Sequence, residues 1–325
     1  MSGEAWNYPR RAVRGDCGAT RRGIALAVLS AIISGIAVFV AGYGVKEFPS
    51  PAAYTALRNA FVGLILLALL FRPSALSELR RLTPGQGLGL ALLGIVGGSI
   101  PFVLFFEGLS RAGSGNAAII QKTLFIWVAL LAILFLRERL GRGQVIALGL
   151  LLVSQIVLGG SGAVPLGSGA VLVLIATLVW SVEVVLAKRL LDGMSGSLAA
   201  TARMAIGGAI LLCYLASIGK LGIVMQLNPT QWAWVIGPGL LLLAYVTTWY
   251  AALKRASATA VTSVLTVGAP ITAVLTALAG SGPPRSDVLF GYGILVVAVL
   301  LVAVMSRGDA VPRALNGREA TRGGA

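Results

Sequence analysis

The sequence predicts an all-α polytopic membrane protein: ten transmembrane helices arranged as two inverted five-helix repeats. Three observations predict it, namely the composition, a run of ten apolar windows, and a match of the chain to itself. Of 325 residues, 57% are hydrophobic and 11% charged, with a mean hydropathy of +0.91. Soluble domains carry about 25% charged residues, and one core of this size would leave too much apolar surface in water. Histidine is absent, which removes Ser-His triads, His general bases and His metal sites. Cys17 and Cys213 are too few and too distant for a zinc site or a disulfide framework. Neither a Walker A loop nor a dinucleotide fingerprint occurs, so ATP-driven pumping by this chain alone is not expected. No cofactor and no metal are expected.

A helix of about 20 residues crosses a hydrocarbon core about 30 Å thick. The first window, 23–45, follows five arginines but is longer than a signal-peptide core and has no clear cleavage site behind it, so residues 1–22 read as a cytoplasmic tail. The second, 51–71, opens on Pro51 and carries a polar face of Tyr54, Thr55, Arg58 and Asn59. The third, 87–109, is punctuated by Gly94, Gly97, Gly98 and Pro101, and the eighth, 231–252, by Gly237, Pro238 and Gly239. Such matched interruptions point to a binding region, because bent backbone offers N–H and C=O groups to a solute. The fourth, 115–136, holds Lys122 and Trp127; the fifth, 144–161, is apolar. The sixth, 167–188, holds Trp180 and Glu183, and the seventh, 196–218, sets Arg203 among Ala199, Ala200 and Gly207. In the ninth, 258–280, Thr259, Thr262, Ser263 and Thr266 fall on one helical face. The tenth is 287–306, and residues 307–325 form a second tail. Short connections imply antiparallel neighbours, and the alternating segments of a β-barrel are not seen.

Orientation follows from the loops. With the N-terminus inside, nineteen of the 26 Lys and Arg fall in the tails and inner loops and four, Lys46, Arg111, Lys220 and Arg285, in outer ones. Both termini are therefore expected in the cytoplasm. The net charge of +15 is spread over short juxtamembrane loops, which suits anionic membrane lipids and no nucleic acid.

Phe106-Glu-Gly-Leu-Ser-Arg-Ala-Gly-Ser114 matches Tyr250-Ala-Ala-Leu-Lys-Arg-Ala-Ser-Ala258 at an offset of 144, and at nearly that offset Arg58 falls on Arg203. An odd number of spans per half inverts the second copy. The repeats are 23–161 and 167–306. The stretches FFEGLSRAGSGNAAIIQKTLFIWVALLAILFLRERLGRGQVIALGLLLV and YAALKRASATAVTSVLTVGAPITAVLTALAG resemble the EamA-type families of the drug/metabolite transporter superfamily. That resemblance implies a basket of ten helices around a central cavity, and the movement of small metabolites, often amino acids, across the bacterial inner membrane. The sequence departs from the family pattern twice. Pro270 of the ninth span has Ile126 as its counterpart in the fourth, and LRERL after the fourth is replaced by GSGPPR after the ninth.

Ionisable residues in or near spans by default face protein or a wet cavity. Arg58 and Lys122 are the candidate carboxylate partners; Thr266, the repeat partner of Lys122, belongs to the same cavity, and Tyr245 and Trp249 form its aromatic wall. Glu183 beside Trp180 and Arg203 is the first candidate to carry a coupling proton and Glu107 the second, while Arg203 is equally readable as half of a structural ion pair. The reading is a secondary carrier of a small polar metabolite, an amino acid or similar organic acid, with efflux favoured by the resemblance. A lipid-carrier flippase on the same scaffold is the alternative, and an intramembrane enzyme, with two separated carboxylates and no histidine, a weaker one. The partners are a small solute and lipids; monomer and homodimer both stay open.

Overall fold

The computed structural model describes residues 17–112, 117, 120–159, 167–281 and 285–308. Most of both expected tails and part of the start of the fourth span lie outside these residues. The described elements are helices: α1 (Cys17–Gly44), α2 (Pro51–Leu70), α3 (Pro73–Arg80), α4 (Pro84–Gly98), α5 (Ile100–Ala112), α6 (Leu124–Leu131), α7 (Arg142–Gly159), α8 (Ser168–Leu191), α9 (Gly196–Ser217), α10 (Pro229–Arg255), α11 (Ala258–Leu265), α12 (Gly268–Thr276) and α13 (Ser286–Gly308). Eight helical stretches are long and apolar enough to cross a membrane, and the shorter apolar stretches Ile120–Leu136 and Arg142–Leu158 occupy the fourth and fifth places. The chain is an all-α polytopic membrane protein.

Proline opens α2, α3, α4 and α10, where its missing N–H costs nothing. Two capping boxes, Thr83 with Gln86 and Asn228 with Gln231, start α4 and α10. They are 145 residues apart, so the repeat extends into the loops.

Of the two interruptions read from the sequence, in the third and eighth spans, the structure has the first, and three other spans differ in continuity from the reading. The third breaks at Ser99 (φ −133°, ψ −70°) into α4 and α5. The eighth does not break: α10 runs through Pro238. The fourth and ninth, read as unbroken, are interrupted near Thr123 and Thr266. There the hydroxyls donate to the carbonyls of Ile120 and Ser263, both at 2.6 Å, and in the ninth span Pro270 has no N–H for the Thr266 carbonyl, which takes Ala269 instead.

Packing follows an exchange of halves. α1 lies on α10 as α5 lies on α8; α4 meets α9 as α2 meets α10; α2 with α9, and α7 with α13, are their own counterparts. Glycines set the closest crossings: a Cβ on Gly98 would stand 2.2 Å from the Arg203 carbonyl oxygen, and one on Gly207 would stand 2.4 Å from the Gly98 Cα. In lipid, such small-residue contacts take the place of hydrophobic driving force.

The end of the bundle that carries Arg137, Lys188, Arg189 and Lys254, the basic end, is fastened across the halves. Glu138 accepts from the N–H groups of Ala258 (2.6 Å) and Thr259 (3.3 Å) and from Thr259 Oγ1 (2.8 Å), capping α11. Glu78 accepts the Ser195 N–H ahead of α9 at 2.5 Å. Backbone carbonyls receive the cations: Lys188 Nζ donates to Leu253 and Ala256 at the end of α10 (2.6 and 2.7 Å), Arg189 to Phe135 in the last turn of the fourth span (2.6 Å) and Lys254 to Met194 in the α8–α9 connection (2.8 Å). Glu138 and Glu78 thus face helix N-termini, and Lys188 and Arg189 face C-terminal carbonyls, each the favourable pole for its charge. Glu138→Ala is expected to lower stability by about 1–2 kcal/mol, the range for losing an N-cap, with Glu138→Gln losing less; thermal unfolding of the purified protein checks the order.

Candidate functional site

A buried polar cluster forms where α4, α8, α9 and α10 meet. α8 presents Glu183, 2% exposed, and α9 brings Arg203 Nε to 3.6 Å from its Oε1. Tyr250 of α10, 0% exposed, donates its hydroxyl to the same Oε1 at 2.7 Å. Tyr245 lies within electrostatic range of both charges and stacks on Trp249 with ring centroids 6.2 Å apart. Room for the pair comes from Gly97, where a Cβ would lie 2.4 Å from Glu183 Cγ and 3.1 Å from Arg203 Nε. One turn before Glu183, Trp180 packs edge-on against Phe102 at 5.3 Å and tilted against Phe105 at 5.6 Å. Its indole N–H is buried without a partner among the described residues. The cluster is a compensated charge pair in an aromatic wall, with one proton acceptor and one hydroxyl donor in contact.

Arg58 is placed differently. It is partly buried on α2, its guanidinium 5.2 Å from the Tyr54 ring centroid. Among the described residues three buried atoms on α2 have no hydrogen-bond partner: Arg58 Nε, Tyr54 Oη and Asn59 Oδ1. Lys122 and Thr266, at the breaks of the fourth and ninth spans, are also partly buried. Among the described residues neither Arg58 nor Lys122 forms an ion pair with a carboxylate, and no hydrogen bond joins them to the Glu183 cluster. Of the residues singled out from the sequence, the structure thus brings together Glu183, Arg203, Tyr245 and Trp249, and leaves Arg58 and Lys122 as uncompensated cations elsewhere in the bundle.

Glu107 is at the rim. Its half-exposed carboxylate takes Arg111, one turn on, through Oε1, at 3.1 Å from Nε and 2.5 Å from Nη2. It lines a cleft of about 240 Å³ at the end opposite the basic one, together with Ser50, Ala52, Phe106, Tyr214 and Lys220.

Three participants were not picked out as site residues from sequence: Tyr250 as the partner of Glu183, and Glu78 and Glu138 as helix caps. The repeat match begins on Tyr250, and LRERL contains Glu138, so signals existed. Their partners are 67, 117 and 120 residues away, and no local pattern encodes such pairings.

A two-repeat helical bundle with compensated and uncompensated charges in its interior is the construction of a membrane carrier. The EamA-like transporter family matches residues 21–160 and again 167–304. The chain belongs to that family, and so to the drug/metabolite transporter superfamily. Among solved structures, one titled "Crystal structure of protein" has the same fold, with a TM-score of 0.69 at 19% identity over 90% of this chain and 98% of that one. No curated protein matches.

Proposed function

We propose that the protein is a secondary carrier that moves a small carboxylate-bearing metabolite, an amino acid or similar organic acid, across the bacterial inner membrane. The observation that carries this reading is the contrast between the two repeat-related arginines. Arg203 has its counter-charge in Glu183, whereas Arg58 is partly buried with no carboxylate among the described residues. Uncompensated cations inside a membrane protein are expensive to keep, which argues that they serve a solute. Lys122 and Thr266 extend the solute site along the broken fourth and ninth spans, while Tyr245 and Trp249 belong to the Glu183 cluster. The charge bias of the loops supports a cytoplasmic basic end. The helix caps gathered at that end favour a conformation closed inside and accessible from outside. Glu183 carries the coupling proton, and family resemblance favours efflux.

Counterflow in proteoliposomes, with a panel of amino acids and organic acids, tests the proposal. Arg58→Gln is expected to lower counterflow of the accepted carboxylate by about tenfold or more, the cost of losing one charge-assisted contact, with little change in thermal stability. Leaflet exchange of a labelled lipid without solute counterflow would overturn it in favour of a flippase.

A further inference from the structure

The two repeats treat one pair of helix N-termini differently. Ahead of α9, Ser195 Oγ accepts the Leu198 N–H at 3.3 Å, and the Ser195 N–H donates to the carboxylate of Glu78 at 2.5 Å. Shifting by 145 residues sets Ser50 and α2 in place of Ser195 and α9. The capping boxes Thr83–Gln86 and Asn228–Gln231 keep that same shift, so the register is fixed on both sides of the comparison. In this register Glu78 falls on Ile223, and among the described residues no carboxylate is hydrogen-bonded at the start of α2.

The consequence is visible at Ser50. The residue is 6% exposed, its side chain makes no capping bond, and its hydroxyl finds no partner among the described residues. It lines the cleft of about 240 Å³ at the end opposite the basic one. Lys220 stands on the same cleft in no ion pair among the described residues. Glu107 does not impose a free negative charge there, because Arg111 holds it. Val103, Phe106 and Leu211 supply an apolar wall. An N-terminal helix pole, an idle hydroxyl on a buried residue and an ammonium in no ion pair among the described residues line one space, and each favours an anion.

We propose that this cleft binds the carboxylate of a small solute with a short apolar tail. The carboxylate sits at Ser50 and the first turn of α2, where the repeat puts Glu78 on α9; Lys220 supplies the counter-charge and Phe106 with Leu211 holds the tail. The site shares no residue with Arg58, Lys122 or the Glu183 cluster, so it stands independently of the carrier reading.

The test is a thermal-shift titration of the purified full chain with 4-methylpentanoate, using isoamylamine as a probe of similar tail and opposite charge. The acid is expected to raise the melting temperature and the amine to leave it unchanged. Lys220→Gln is expected to weaken the acid about tenfold, in line with one charged hydrogen bond. Ile223→Glu, which supplies the carboxylate from the chain itself, is expected to abolish the response, and Arg58→Gln to retain it. Should Ile223→Glu fail to fold, the contrast between Lys220→Gln and Arg58→Gln decides. No shift with the acid, an equal shift with the amine, or loss in Arg58→Gln with retention in Lys220→Gln would overturn the proposal.

Discussion

Glu183→Gln is expected to abolish flux driven by a pH gradient while leaving solute counterflow measurable. Glutamine keeps the shape and can still accept from Tyr250, whose hydroxyl lies 2.7 Å from the carboxylate, but it neither binds a proton nor balances Arg203. Removing one member of a buried ion pair costs about 3–5 kcal/mol, because the other charge stays in place without compensation. The 3.6 Å separation of Arg203 Nε and Glu183 Oε1 puts this pair toward the lower end of that range. A stability loss alone would not establish a coupling role, so the second variant matters. In Glu183→Gln with Arg203→Gln no charge is stranded, and melting temperature is expected to recover most of the loss while gradient-driven flux stays absent. Undiminished gradient-driven flux in the single variant would reject Glu183 as the proton carrier and leave the pair a structural one. Tyr250→Phe is the graded control: it deletes one hydrogen bond, worth about 1 kcal/mol, and keeps both charges.

The parts of this arrangement that were legible in the sequence are those written in local periodicity and in the repeat. Apolar length announces the spans, and the offset between Arg58 and Arg203 announces that the halves are related. What the sequence conceals is how the two halves have diverged in charge. Glu183 maps by the 145-residue shift to Val38, and Glu78 to Ile223. These differences mean little until the fold shows that Glu183 answers Arg203 and that Glu78 answers the start of α9. Helix continuity was misread for a related reason. Pro238 suggested a break in the eighth span, yet α10 passes through it, since a proline removes one hydrogen bond and neighbouring helices in a bundle can hold the rest. The break in the ninth span sits four residues before Pro270, which has no N–H for the Thr266 carbonyl, so that Ala269 donates to it instead; the fourth span, with Ile126 as the counterpart, breaks at Thr123 with no proline to announce it.

Among the described glycines, Gly98→Ala is expected to be the most damaging change, because nothing around it can yield. The added Cβ would lie 2.2 Å from the Arg203 carbonyl oxygen and 2.7 Å from the Gly207 Cα, so both obstacles are backbone of α9. Relief requires α4 and α9 to separate, and α9 also carries Arg203 and packs on α2. Overpacking commonly costs about 1–3 kcal/mol and more where backbone must move; about 3 kcal/mol or more is expected here, against the roughly 1 kcal/mol that Gly→Ala gains by helix propensity. Gly207→Ala, 2.4 Å from the Gly98 Cα, should behave alike. Gly97→Ala separates site from scaffold: its methyl would meet the Glu183 side chain, 2.4 Å from Cγ, which can rotate aside. It is therefore expected to disturb the Glu183–Arg203 contact and pH-gradient-driven flux more than melting temperature. Gly87→Ala, with nothing within 4 Å, is the baseline and should melt no lower than the parent. Thermal unfolding of the four purified variants checks the ranking, and equal melting of Gly98→Ala and Gly87→Ala would show that the α4–α9 crossing is looser than the structure has it.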